Sequence, residues 1–239
     1  MTKWIRRSAL AILLALGLLG FSGLQAQDVT VKGKIRIGGH KQKLEKDKLY
    51  HVKVEAEGFR PQVNIRPGYF LYANFGEGDT FQGYFLPRET RDYSLSIGPD
   101  LGDDLGEGQL KYTVTIKSIP MAAKPLLAEK AKLTNQDPIY KVPEFNLPKK
   151  CHFKAYTIKL KAKQFYIIDM EKISEGMDPY LYLEDPSGKI VAQDDDSGGD
   201  LNARVIFQPR RDGEYRIIAT TLVPATGDFR LTVRGQEKQ

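Results

Sequence analysis

The sequence predicts an all-β protein: two tandem antiparallel β-sandwiches of jelly-roll-like type, joined by a proline-rich linker and preceded by a cleaved signal peptide. Three observations carry this expectation. A unit of about 85 residues occurs twice. Within each copy apolar and polar residues alternate with a period of two, the pattern of strands with one buried face. No long helical period interrupts either copy. The expected boundaries are residues 1–26 for the signal, 27–118 for the first sandwich, 119–149 for the linker and 150–236 for the second sandwich.

The first element is the signal. Lys3, Arg6 and Arg7 stand without an acid, an apolar run follows over residues 9–21, and Leu24-Gln25-Ala26 supplies a small residue before the cut. That order describes a secretory signal peptide. The run is shorter than the roughly 20 residues a membrane-spanning helix needs. The expectation is an exported protein, secreted or held in the periplasm or cell envelope, with no stable membrane span after cleavage. The chain has 36 basic and 30 acidic residues, and losing the three basic residues of the signal leaves 33 against 30. A mature chain so nearly balanced does not argue for nucleic acid as a partner.

Composition sets further limits. Apolar residues make up 41%, enough for each copy to bury a core. With three histidines, one cysteine, and a single tryptophan (Trp4) that leaves with the signal, a disulfide framework, a zinc cluster and most histidine-based catalysis lack their residues. Cys151 alternates with Phe153 and Ala155, which predicts a buried small hydrophobe rather than a reactive thiol.

The repeat supplies the next elements. Residues 85–93 (FLPRETRDY) match 207–215 (FQPRRDGEY), with Phe85, Pro87, Arg88 and Tyr93 falling on Phe207, Pro209, Arg210 and Tyr215. Upstream, residues 44–54 match 160–170, with Leu44 on Leu160 and Tyr50 on Tyr166; downstream, 112–116 match 229–233. Phe229, Leu231 and Val233 alternate with Arg230, Thr232 and Arg234, and turn signals at 185–188, 196–199, 211–213 and 225–227 separate such runs. Seven or eight short strands per copy, about ten residues apart, are the pattern of an antiparallel sandwich. Between the copies, Pro120, Pro125, Pro138, Pro143 and Pro148 exclude a long helix or a central strand. Residues 126–133 there are expected to form two helical turns, with Leu126, Leu127 and Ala131 facing a neighbour.

The second copy also resembles a known family. Asp178-Pro-Tyr-Leu181, the Pro186-x-Gly188 turn, the run Asp194, Asp195, Asp196, the start Asp212-Gly-x-Tyr215 and the closing Gly227-x-Phe-x-Leu231 are similar to the bacterial pre-peptidase C-terminal domain. That family is similar in fold to the collagen-binding domains of clostridial collagenases. The first copy departs from the pattern, with Arg60-Pro61 at the Asp-Pro position and residues 74–80 (NFGEGDT) replacing the acidic turn, so it resembles a degenerate copy. The resemblance implies an accessory, non-catalytic role in an exported bacterial protein.

Two candidate sites follow. Asp178, Asp194, Asp195 and Asp196 offer hard oxygen ligands around a tight turn, which Ca2+ would take; the other reading is that these aspartates accept backbone N–H groups and fix the turn. Tyr180 and Tyr182 point away from the face that buries Leu181 and Leu183, so they are expected to form an exposed ligand surface unless other parts of the chain cover them. A second acidic loop, residues 99–108, is glycine-rich and expected to be mobile. Tyr93 and Tyr215 open matching strands, where the phenol commonly packs in the core and ties its hydroxyl to nearby backbone. No nucleophile–base motif is present, so no enzyme is expected. The leading expectation is a binding module for an extracellular protein or polysaccharide, possessing no cofactor other than Ca2+. The alternative is a structural envelope component that assembles with itself or with other exported proteins.

Overall fold

A computed structural model describes residues 29–34, 40–67, 72–74, 78–99, 111–140 and 151–237. The expected signal, the loop at 100–108 and residues 141–149 of the expected linker lie outside the described residues.

Every described element is a strand. The first copy holds β1 (Val29–Lys34), β2 (His40–Leu44), β3 (Leu49–Ala56), β4 (Pro61–Arg66), β5 (Tyr72–Asn74), β6 (Thr80–Phe85), β7 (Arg91–Pro99) and β8 (Lys111–Ile119). The remaining strands are β9 (Leu127–Leu133), β10 (Ile139–Tyr140), β11 (Cys151–His152), β12 (Lys154–Leu160), β13 (Tyr166–Lys172), β14 (Pro179–Glu184), β15 (Ile190–Asp194), β16 (Ala203–Phe207), β17 (Gly213–Thr221) and β18 (Gly227–Gly235). In the first copy one sheet runs β1-β8-β3-β6-β5 and the facing sheet runs β2-β7-β4. In the second, the sheets run β9-β18-β13-β16 and β12-β17-β14-β15. All pairings are antiparallel, and strand for strand the two orders correspond, giving two jelly rolls. One strand departs: β5 pairs with β6, whereas its counterpart β15 pairs with β14.

The correspondence corrects one expectation. Residues 126–133 form no helical turns; most of them are β9, the first strand of the second sandwich. Leu127 faces Val233 on β18 as Val29 faces Ile116 on β8. Leu127, Ala131 and Leu133 pack on the second core, so the apolar spacing that suits a helix also suits an edge strand with an inward face. The open edge of β18 decides between them, because pairing and burial outweigh local helix propensity. An edge position agrees with the flanking prolines.

Each sandwich has its own core. The first centres on Leu44, Val52, Val54, Leu95 and Val114, the second on Leu160, Ile168, Met170, Leu183, Ile217, Phe229 and Leu231. Both repeat the same tyrosine ties. Tyr93 donates its hydroxyl to Glu89 O at 3.1 Å and Tyr215 to Arg211 O at 3.0 Å, as the tyrosine-corner analogy expects. Tyr50 and Tyr166 accept from the backbone N–H of Glu45 and Lys161. A third apolar cluster joins the copies: Leu49 and Leu86 of the first meet Phe165 and Ile167 of the second, with Tyr84 packed on Phe165 at a ring distance of 4.6 Å.

Candidate functional site

The expected tyrosine surface is not a surface. Tyr180 is 6% and Tyr182 2% exposed. They stack on each other at 4.6 Å, and Tyr140 lies 5.1 Å from Tyr182. The cover comes from the connection between β9 and β12, where β10 pairs with β11 and brings Tyr140 and Phe153 over the outer face of β14 and β17. That connection has only a five-residue counterpart, 35–39, between β1 and β2. Beneath it Glu184, 5% exposed, accepts from Tyr140 Oη at 2.9 Å and from Arg216 Nε at 2.7 Å. Burial, and then the Glu184 carboxylate, hold the Tyr140 hydroxyl far above its ordinary pKa. Cys151 is buried as expected.

The acidic turn divides into different roles. Asp194 accepts from Ser197 N at 3.0 Å, from Ser197 Oγ, and from Arg204 N at 2.8 Å. Burial raises its pKa against those hydrogen bonds. This is the turn-fixing role. The backbone carbonyl of Asp178 accepts Leu222 N at 2.8 Å. Asp195 and Asp196, with Ser197, Gly199 and Asp200, instead line a cavity of about 640 Å³ together with Arg88 of the first sandwich. Among the described residues no three His, Cys, Asp or Glu side chains are grouped as ligands of a metal ion.

A second opening lies elsewhere along the junction and was not legible in the sequence. A groove of about 720 Å³ runs between the 42–50 segment of the first sandwich, the 116–123 segment that leaves it, and the end of the second. Its floor is apolar, from Leu44, Ile116, Ile119 and Met121. Lys43, Lys48 and Arg234 stand on its walls with Glu45, Asp47 and Glu237. The wall loop is ordered by backbone ties: Asp47 N donates to Pro87 O at 3.1 Å and Lys46 N to Thr90 Oγ1 at 2.9 Å. Asp47 takes a left-handed conformation (φ 61°) to do so. Tyr50 is the one aromatic residue lining the groove among the described residues, and it is buried with its hydroxyl engaged by Glu45 N.

The histidines are separate. His40 Nε2 bonds Tyr112 Oη at 2.6 Å, His51 stacks on Tyr84, and His152 Nδ1 donates to Asp137 O at 2.7 Å. Each serves packing.

No family model matches this chain, and no curated protein matches it. Among solved structures it is similar to a fucolectin (F-lectin) from the serum of Morone saxatilis, the striped bass, at 9% sequence identity and a TM-score of 0.24, over 90% of this chain and 98% of that one.

Proposed function

We propose that this is an exported, non-catalytic binding protein that takes an extended segment of an extracellular protein into the groove between its two jelly rolls. The observation that carries the reading is the groove itself: about 720 Å³ at a domain junction, with an apolar floor and walls of both charge signs. A polypeptide presents alternating apolar and charged side chains that suit such a lining. A sugar ring would want an open aromatic platform, and the lining tyrosine is not one. The leader-like first 26 residues support export. The five motif features similar to the pre-peptidase C-terminal domain, which fall at strand starts and turns of the second sandwich, support an accessory role.

The test is retention of the full exported chain on two arrays, one of mixed-charge peptides and one of polysaccharides. Retention on peptides alone is expected. Retention confined to polysaccharides would overturn the choice of ligand class.

A further inference from the structure

We propose that Arg88 is a positioning residue for the groove, holding its wall from behind by seating its guanidinium on the acidic turn of the second sandwich. The inference rests on the reading of the groove as the binding site. Arg88 follows β6 and reaches across the junction, where Nη2 donates to Ser197 O at 3.3 Å. Its guanidinium lies against Gly199, so closely that a Cβ added there would overlap it, and Gly199 has the left-handed φ of 86° that glycine tolerates. Asp195, Asp196 and Asp200 line the same opening as Arg88, so a basic residue of the first sandwich shares it with three acidic residues of the second.

The same short loop also reaches the groove. Pro87, one residue before Arg88, accepts the N–H of Asp47, and Thr90, two residues after, accepts the N–H of Lys46. Asp47 and its neighbours Glu45 and Lys48 are groove wall. Leu86, preceding both, is buried in the apolar seam. The loop is therefore held at three places: by the seam, by the acidic turn and by the wall it supports. The repeat gives an internal control. Arg210 is the counterpart of Arg88, and it is exposed on the second sandwich. The counterpart backbone tie, Lys163 N to Pro209 O at 2.9 Å, forms there without a partner sandwich. The tie is thus a property of the fold, and the cross-junction contact is what the first copy adds.

The experiment is amide hydrogen exchange at residues 45–48 in the full chain, without ligand. Variants are Arg88→Ala, the triple change of Asp195, Asp196 and Asp200 to Asn, both together, and Arg210→Ala. An exposed contact of this kind is worth a small factor, so roughly two- to fivefold faster exchange is expected for Arg88→Ala, and a smaller acceleration for the triple variant, which keeps the Ser197 carbonyl. The combined variant should exchange no faster than Arg88→Ala, because the three carboxylates act on the loop only through the guanidinium. High salt should accelerate the parent alone, and Arg210→Ala should change nothing at 45–48. Peptide retention should fall in Arg88→Ala with the thermal midpoint unchanged. Unaltered exchange in Arg88→Ala, or additive acceleration in the combined variant, would overturn the proposal. Accelerated exchange in Arg88→Ala, where the parent retains no peptide, would leave the Arg88 contact standing and defeat the groove reading alone.

Discussion

Asp194 accepts three hydrogen bonds from its own turn and from Arg204, and burial holds its carboxyl above the usual range. Asp194→Ala should therefore cost about 1–2 kcal/mol in a denaturant melt, since it strands part-buried donors. A turn fixed in this way expects no more than a small movement of the thermal midpoint when millimolar Ca2+ replaces a chelator; a rise of on the order of 10 °C would establish a metal site instead. His51 makes the second residue-scale prediction. Burial lowers its pKa from 6.5, Gln82 opposes that, and Lys53 and Lys117 add to it. The unfolded chain takes up a proton as pH falls through 6.5 while the folded ring resists. Stability is therefore full above that value and declines below it. Melts between pH 7 and 5 should show this slope, and His51→Phe should reduce it. An unchanged slope in the variant would assign the loss to other groups.

At the scale of elements, β9 separates the structure from the sequence reading most sharply. Leu133 is fully buried in the second core. Leu133→Ala should cost about 2–5 kcal/mol, as a core leucine does, whereas a leucine in a mere spacer would cost almost nothing. The strand escaped the repeat because it lies 98 residues from its counterpart, while the strands after it lie 116 or more from theirs; the β9–β12 connection takes up the difference. That same connection hid the fate of Tyr180 and Tyr182. Their outward direction was legible from alternation, but their cover comes from Tyr140 and Phe153, and nothing local announces it. Tyr140→Ala should expose the stacked pair and leave Glu184 without one of its donors. A loss of about 2–4 kcal/mol is expected, together with new binding of a hydrophobic dye. Full stability in that variant would mean the cover contributes nothing.

For the whole molecule, alternation and turn chemistry made the sandwich class legible, and the repeated FxPR…Y segments made the tandem arrangement legible. The groove was not, because its floor and walls come from segments far apart in sequence: Lys43 and Tyr50, Ile119 and Met121, Arg234 and Glu237. Arg88 was visible as a repeat position, but its partner is fixed only by how the copies pack. Edge strands β9 and β12 carry Lys130, Lys132, Lys154 and Lys159, a composition that discourages edge-to-edge pairing. Light scattering should accordingly find a monomer at all concentrations; association that grows with concentration would favour an assembling envelope component. Charge reversal on the groove wall shows whether a peptide binds there. Lys43→Glu with Lys48→Glu alters exposed or half-exposed side chains, so the thermal midpoint should hold. Affinity for a retained mixed-charge peptide should fall at least tenfold, the factor that about 1.4 kcal/mol corresponds to. Undiminished affinity in that folded double variant would place the ligand somewhere other than the groove.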